Sequence, residues 1–295
     1  MQLRPDLAAM RRYLKCARLN LRMLGHILAD RWLDKSDVSA GYDRLAADYD
    51  ANWLVNLKPV SDRLVAALPA DGVNTAIDLG CGTGYITAAL EKRYPQAAVI
   101  GVDISPGMLA EARKICLRAE LACADMLEFL RQRPECSADL IVSGWAIGYS
   151  IPEKVIAECG RVLRPGGTLA LVVNYADTLA PVFYAFRRSM AAFPEKVGKA
   201  LWPRFPQDRT AVEKMFLSGG FGTALVEEGR IEVKPPNDET AKLPWLLKTG
   251  IIAGFDAVLP LRDDREVAAY FEDELQRCDA PIEHHYLTIK GICRK

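Results

Sequence analysis

The chain has 295 residues, half of them apolar and 26% charged, which suits one large α/β domain with insertions or two smaller ones. A chain of this size buries roughly 75% of its unfolded surface and needs no disulfide to hold a core. Its 38 Lys and Arg balance 38 Asp and Glu, which removes the electrostatic footprint of a dedicated nucleic-acid binder, and its eight scattered cysteines form no C-x-x-C or Cys/His cluster, arguing against a zinc site or a disulfide framework.

Residues 1–70 read as a helical N-terminal extension, helical over most of 6–68. Leu14, Ala17, Leu21, Leu24 and Leu28 recur at three- and four-residue steps as one apolar stripe. Between Arg11 and Leu28 stand Arg11, Arg12, Lys15, Arg18 and Arg22 and no acidic residue. These charges, with Asn20 and His26, break any signal-type apolar run, so the expected location is the cytoplasm. Two readings of the helix stay open: it packs on its own domain or a dimer partner with a solvated basic face, or residues 11–28 lie on an anionic membrane surface. The oligomeric state is not legible.

After Pro69-Ala70-Asp71-Gly72 short apolar runs alternate with amphipathic stretches, the rhythm of β-α-β units in a Rossmann-like, doubly wound, mostly parallel sheet. Strands are expected at 75–79, 98–102, 119–123, 139–143 and 168–174, with helices at 85–92, 106–117 and 152–163. Ser105 is placed as an N-cap before Pro106. The turn Arg164-Pro165-Gly166-Gly167 is expected to end the last of these helices and start the fifth strand. Residues 71–175 thus read as the ligand-binding core. The remainder, 176–295, completes it with a helix at 210–217, a strand at 225–233 and a final antiparallel strand at 283–293. Two insertions, 176–209 and 234–281, are rich in aromatic residues and read as a cap over a binding site.

The sharpest motif is Asp78-Leu79-Gly80-Cys81-Gly82-Thr83-Gly84, where the first strand gives way to a helix. Three glycines at two-residue spacing let the backbone turn tightly and approach a ligand, with amides expected to face it from a helix N-terminus. Val102-Asp103-Ile104 closes the second strand, placing Asp103 19 residues after Gly84, where the acidic residue of a ribose-binding fold reaches the sugar hydroxyls. The dinucleotide fingerprint G-x-G-x-x-G is not met, because its third glycine falls on Tyr85.

From Asp78 to Gly84 the residues resemble the first motif of the class I S-adenosylmethionine-dependent methyltransferases, and the resemblance extends over about 76–175. It implies S-adenosylmethionine as cofactor. The loop of Gly80, Cys81, Gly82 and Gly84 would lie under its methionine end, Asp78 near its ammonium and Asp103 on its ribose. Ile104 and Met108 follow Asp103, and Ala124-Asp125-Met126 looks like the motif that holds the adenine; Asp125 reads equally as a helix N-cap. Ser143-Gly144-Trp145-Ala146-Ile147 departs from the Asn/Asp-Pro-Pro-aromatic run of the amino-methylating nucleic-acid enzymes. Upstream, Tyr42-Asp43-Arg44-Leu45-Ala46-Ala47-Asp48-Tyr49-Asp50 resembles the short helix that closes over the cofactor in small-molecule members, with Tyr49 toward the cofactor and Tyr42 toward the acceptor.

Methyl transfer is an in-line displacement that asks chiefly for alignment and dryness, and orientation supplies about 7–11 kcal/mol of it. No catalytic base is assigned: His284 and His285 adjoin on the last strand and point to opposite faces, so at most one reaches a shared pocket. Trp145 and Tyr149, past the fourth strand at the carboxyl edge of the sheet, are candidate acceptor contacts. The aromatic cap suggests a small apolar or aromatic acceptor. Alternatives are a membrane-surface lipid or quinone-type acceptor, a cofactor binder that transfers nothing, and an NAD-linked oxidoreductase.

Overall fold

The apolar runs pair into one seven-stranded sheet in a computed structural model, which describes residues 7–201, 204–235 and 242–294, the side chains of 7–9 and 11–13 excepted. The strands are β1 (Thr75–Leu79), β2 (Ala98–Asp103), β3 (Glu120–Cys123), β4 (Ala138–Gly144), β5 (Leu163–Asn174), β6 (Phe221–Glu232) and β7 (Glu283–Cys293). Their order is β3-β2-β1-β4-β5-β7-β6. The five strands of the first half are mutually parallel, and β7 inserts antiparallel between β5 and β6. The chain therefore has the Rossmann-like, mostly parallel sheet expected, and its strand order reverses between β1 and β4, the switch point where such sheets bind ligands at their carboxyl ends.

Apolar side chains cover both faces. Ile77, Leu79, Ile141 and Leu171 pack with α6 (Met126–Gln132), α7 (Pro152–Val162) and α9 (Arg209–Ser218). Ala76, Leu140, Val142 and Ala170 pack on the other side with α3 (Val55–Ala66) and α4 (Tyr85–Arg93). The helix α5 (Pro106–Ile115) starts as expected, with Ser105 Oγ accepting from the Met108 amide at 3.0 Å and Pro106 in the first turn.

Two boundaries differ from the sequence reading by more than two residues. Arg164-Pro165-Gly166-Gly167 lies inside β5: Leu163 already pairs with Ala138, the register shifts, and pairing resumes at Thr168 opposite Leu140. Gly166 absorbs the irregularity at φ 79°, and Arg164 ties it to Asp139 at 2.6 Å. The strand β6 starts at Phe221 because β7 is long enough to pair Cys293 with it. The helix α6, capped by Asp125, answers to the N-cap reading of that residue, although the sequence reading gave it no bounds.

The two insertions are largely helical, with α8 (Ala180–Ala192), α10 (Lys242–Leu246) and α11 (Arg265–Arg277). Asp264 caps α11, and Val267, Phe271 and Leu275, one turn apart, are fully buried. They share a core with Phe186, Trp245 and Phe255 of the cap and with Trp53, Leu54 and Leu57 before and in α3. At about 1.5–3 kcal/mol for each buried large side chain, the cap is an integral layer of the fold rather than a loose loop.

The N-terminal helix α1 (Leu7–Leu28) docks through Leu19 and Met23, and through Arg22 Nε and His26 Nε2, which lie 3.0 and 2.9 Å from Val197 O. Its apolar stripe faces away: Met10, Leu14, Leu21, Leu24 and Leu28 are exposed, Leu28 by 79%. The helix α2 (Lys35–Leu45) and a π-helical turn at Asp50–Leu54 then lead into α3. Among the described residues no helix is long and apolar enough to cross a membrane.

Candidate functional site

A cavity of about 670 Å³ opens at the carboxyl edge between β1 and β4, within the range of about 300–1,000 Å³ typical of small-molecule sites. Its floor is the sheet edge, its roof the 33–57 segment, and its far wall the aromatic cap.

The loop after β1 explains its glycines. Gly80, Gly82 and Gly84 have φ of 72°, 54° and 89°, the left-handed region that side chains resist. A Cβ on Gly80 would stand 2.2 Å from Ala146 Cβ, and one on Gly84 2.7 Å from Cys116 Sγ, whereas one on Gly82 would meet open space. Gly80 and Gly82 line the cavity; Cys81 and Gly84 stand behind it, Cys81 with a buried thiol whose pKa burial pushes up. The expectation that the loop's amides face a ligand is not met. Gly80 and Cys81 donate to Val102 O at 2.7 and 3.0 Å, Gly82 to Asp103 Oδ2 at 2.8 Å and Gly84 to Cys81 O at 2.9 Å. With these four N–H groups spent internally the loop is a poor cradle for a pyrophosphate.

Two carboxyl groups gather there instead. Asp78, at the end of β1, is buried; its Oδ2 accepts from Thr87 Oγ1 at 2.7 Å while Oδ1 is buried with no partner. Burial pushes its pKa up to about 7. Asp78 lies behind the loop, outside the cavity wall. Asp103 is in the wall, held by the Gly82 and Ser105 amides at 2.8 and 2.9 Å, and burial raises its pKa too. An orphaned carboxylate oxygen beneath the loop and a fixed carboxylate beside it fit a ligand with a cationic end and a sugar.

Ile104, Met108, Asp125 and Met126 complete this half of the wall. Asp125 caps α6, its Oδ1 accepting from the Leu127 and Glu128 amides at 3.1 Å, while Oδ2 meets Lys35 Nζ at 2.9 Å. Lys35 opens α2, which is fastened at its other end: Asp43 Oδ1 accepts from Ser105 Oγ at 2.6 Å and from the Gly107 amide at 2.8 Å. Asp50 likewise accepts from Thr83 Oγ1 at 2.6 Å. The segment is thus pinned across the cavity.

Beneath it three phenols meet. Tyr42 donates to Tyr149 OH at 2.9 Å and Tyr149 to Gly250 O at 3.3 Å, while the Tyr42 ring stands edge-on 6.1 Å from Tyr49 and 5.7 Å from Tyr149. Desolvation raises the Tyr42 and Tyr49 pKa values, and the more exposed Tyr149 shifts in the same direction, so all three are protonated hydrogen-bond donors. Trp145 adopts φ 67°, an uncommon state for a bulky residue that costs of order 1–3 kcal/mol. Its indole reaches Ser61 Oγ at 3.3 Å.

Tyr42, Tyr49, Trp145 and Tyr149 all line the cavity, as their sequence positions suggested. His284 and Asn174 do so as well, unassigned from sequence. Asn174 ends β5 at the carboxyl edge, a positional signal that could have found it. His284 points inward and His285 to the opposite side, against Asp177 and Glu228 at 2.7 and 3.1 Å. Leu33, Lys35 and Trp53, also in the wall, were missed because their segment carries no motif, whereas Phe183, Arg204 and Ile251 belong to the two insertions read as a cap.

Residues 76–167 match the family model of a methyltransferase domain. The chain is 36% identical over 173 residues to the malonyl acyl-carrier-protein O-methyltransferase of Laribacter hongkongensis, a match covering 52% of this chain and 56% of that protein. It is 41% identical over 118 residues to the trans-aconitate 2-methyltransferase of Azoarcus sp., covering 39% and 45%. The chain spans about half the length of the curated relatives it matches. Among solved structures it resembles a methyltransferase of Bacillus halodurans C-125, with TM-score 0.54, 16% identity and coverage of 80% and 99%. It also resembles the cyclase SpnF, with TM-score 0.51, 16% identity and coverage of 80% of each chain; both likenesses are of fold. The Gly-x-Gly-x-Gly loop, the carboxylate after β2 and the family match fall on the same stretch, and over residues 76–167 the chain carries a methyltransferase domain.

Proposed function

We propose that the protein transfers a methyl group from S-adenosylmethionine to a small acceptor with an apolar or aromatic body. The observation that carries this reading is that one cavity is walled on one side by Gly80, Gly82, Asp103 and Asp125 and on the other by Trp53, Phe183, Phe205 and Phe255. Bound S-adenosylmethionine would supply an electrophilic methyl on a sulfonium. Asp103 would hold its ribose hydroxyls, the loop and the field of Asp78 its aminoacyl end, and Met126 the face of its base, with Asp125 beside it. The aromatic wall orients the acceptor and excludes water, which is where the rate gain of a displacement arises.

Calorimetric titration with S-adenosylhomocysteine and NAD, followed by transfer of labelled methyl to an acceptor panel, tests this reading. The panel pairs phenols and apolar alcohols with malonyl thioesters and trans-aconitate, the acids named for its relatives; such acids would need Arg204, the one arginine in the described wall. Tight binding of S-adenosylhomocysteine without transfer to any acceptor would favour a cofactor binder, and preference for NAD would sink the reading.

A second reading adds where the acceptor comes from. The exposed stripe of α1 lies opposite its docking face, with Lys15 and Arg18 exposed and no acidic residue in the helix. That charge pattern suits an anionic lipid surface better than a second copy of the same basic helix, and an acceptor drawn from a membrane would be lipid- or quinone-like. Co-sedimentation with anionic vesicles is expected for the wild type and not for Leu21→Glu/Leu28→Glu; equal binding by both would refute it.

A further inference from the structure

His284 is buried where β7 passes under the cavity, its ring 5.1 Å from that of Trp53 and 5.0 Å from that of Trp145. Its Nδ1 lies 2.9 Å from Asn174 Oδ1. That oxygen only accepts, so Nδ1 carries the ring proton. Thr178 steadies the pair, its Oγ1 accepting from the His285 amide at 3.1 Å and standing 3.2 Å from Nδ1. The other nitrogen, Nε2, is left with a bare lone pair. It is buried, has no hydrogen-bond partner, and belongs to a residue of the cavity wall. Buried polar atoms are rarely left unpaired, and those that are tend to mark function.

We propose that His284 Nε2 takes the proton of a hydroxyl on the acceptor as that oxygen is methylated, so that the site selects acceptors bearing O–H. This rests on the methyl-transfer reading above. In the step the oxygen–methyl bond forms as the sulfur–methyl bond breaks, the electron pair of the broken bond stays on sulfur, and the hydroxyl proton passes to Nε2. One positive charge is lost from the sulfonium and one appears on the imidazole, so the cavity's net charge does not change. Burial holds the His284 pKa down at about 3, which keeps the ring neutral and ready. Such a weak base suffices, because a hydroxyl oxygen becomes strongly acidic once it gains a methyl. The groups packed around the ring, Asn174, Thr178, Trp53 and Trp145, are all uncharged. The protonated phenols of Tyr42, Tyr49 and Tyr149 cannot take the role. Asn174 acts as a positioning residue, fixing which nitrogen carries the ring proton and which keeps its lone pair.

The experiment has two parts. Nitrogen NMR of the cofactor-free protein should show His284 neutral and protonated at Nδ1 at pH 6, with the Nε2 signal moving when phenol is added. An Nε2-protonated ring, or an Nε2 signal indifferent to phenol, would overturn the proposal. Then His284→Ala and His284→Gln are assayed with phenols of graded acidity. Transfer to un-ionised phenols should fall by about 10²-fold or more, transfer to 4-nitrophenol ionised at the assay pH far less, and S-adenosylhomocysteine affinity not at all. Asn174→Leu should lower kcat and change its pH profile without changing that affinity. Equal losses for ionised and un-ionised phenols would refute the base role, whereas a wild type that fails to bind S-adenosylhomocysteine would bring down the methyl-transfer reading itself.

Discussion

Alanine at Gly80 and at Gly82 should separate the two duties of the loop. Both positions have positive φ, and forcing an L side chain into that region costs about 1–2 kcal/mol. At Gly80 the new methyl would also sit 2.2 Å from Ala146 Cβ, an overlap whose relief costs about 1–3 kcal/mol. Ala146 cannot retreat freely, because Trp145 beside it is already held at φ 67°. The sum is about 2–5 kcal/mol for Gly80→Ala against about 1–2 for Gly82→Ala, a large fraction of the about 5–15 kcal/mol that holds a typical domain folded. At Gly82 the methyl points into open space beside the cavity, where it would displace ligand instead of protein. Urea unfolding should therefore rank wild type above Gly82→Ala above Gly80→Ala, while calorimetry shows S-adenosylhomocysteine affinity lost in Gly82→Ala despite its intact fold. If Gly80→Ala proves as stable as Gly82→Ala, the account of the loop as a close-packed turn against the end of β4 is wrong.

Asp103→Ala removes a charged hydrogen-bond acceptor worth about 1.5–3 kcal/mol, so calorimetry should show S-adenosylhomocysteine affinity falling roughly 10- to 100-fold; undiminished affinity would refute the ribose assignment. Asp78 gives a pH signature: unfolded it ionises near 3.8, folded near 7 because it is buried. Below 3.8 both states hold the proton; as pH rises to about 7 only the folded state does, so stability falls by roughly 4 kcal/mol across that window and then levels. Urea unfolding from pH 4 to 8 should show this slope in the wild type relative to Asp78→Asn, and identical curves would count against it. Phe271→Ala, at the centre of the cap core, should cost about 3–5 kcal/mol, measured by the same unfolding curves; a change below 1 kcal/mol would mean the cap does not fold as a unit with the sheet.

The strands were legible because each is a short apolar run bounded by turn residues, and the cavity wall around Gly80, Gly82 and Asp103 because glycine spacing and Asp103 answer to backbone geometry within one β-α-β unit. The cap was read as insertions, although α11 carried its own signals in Asp264 and in Val267, Phe271 and Leu275; the aromatic content drew the eye from that period. The start of β5 was hidden by Arg164-Pro165-Gly166-Gly167, a turn-like string that a bulge accommodates inside a strand. The opposite wall was the least legible. Strand alternation says that one of His284 and His285 faces inward, but which one depends on the register of β7 against β5 and β6, set by partners as distant in sequence as Asn174 and Ile231. Likewise, nothing local in Lys35 or Trp53 announces the wall they help to build.

The place of β7 has a consequence for how the chain is made. It lies between β5 and β6 and is the partner through which β6 joins the sheet, so while the polypeptide is still emerging from the ribosome β6 is an unpaired ribbon and β5 an open flank. Such flanks invite wrong associations. Because the same strand carries His284, the sheet closes and the cavity gains that part of its wall in one event, and neither exists before β7 has been synthesised.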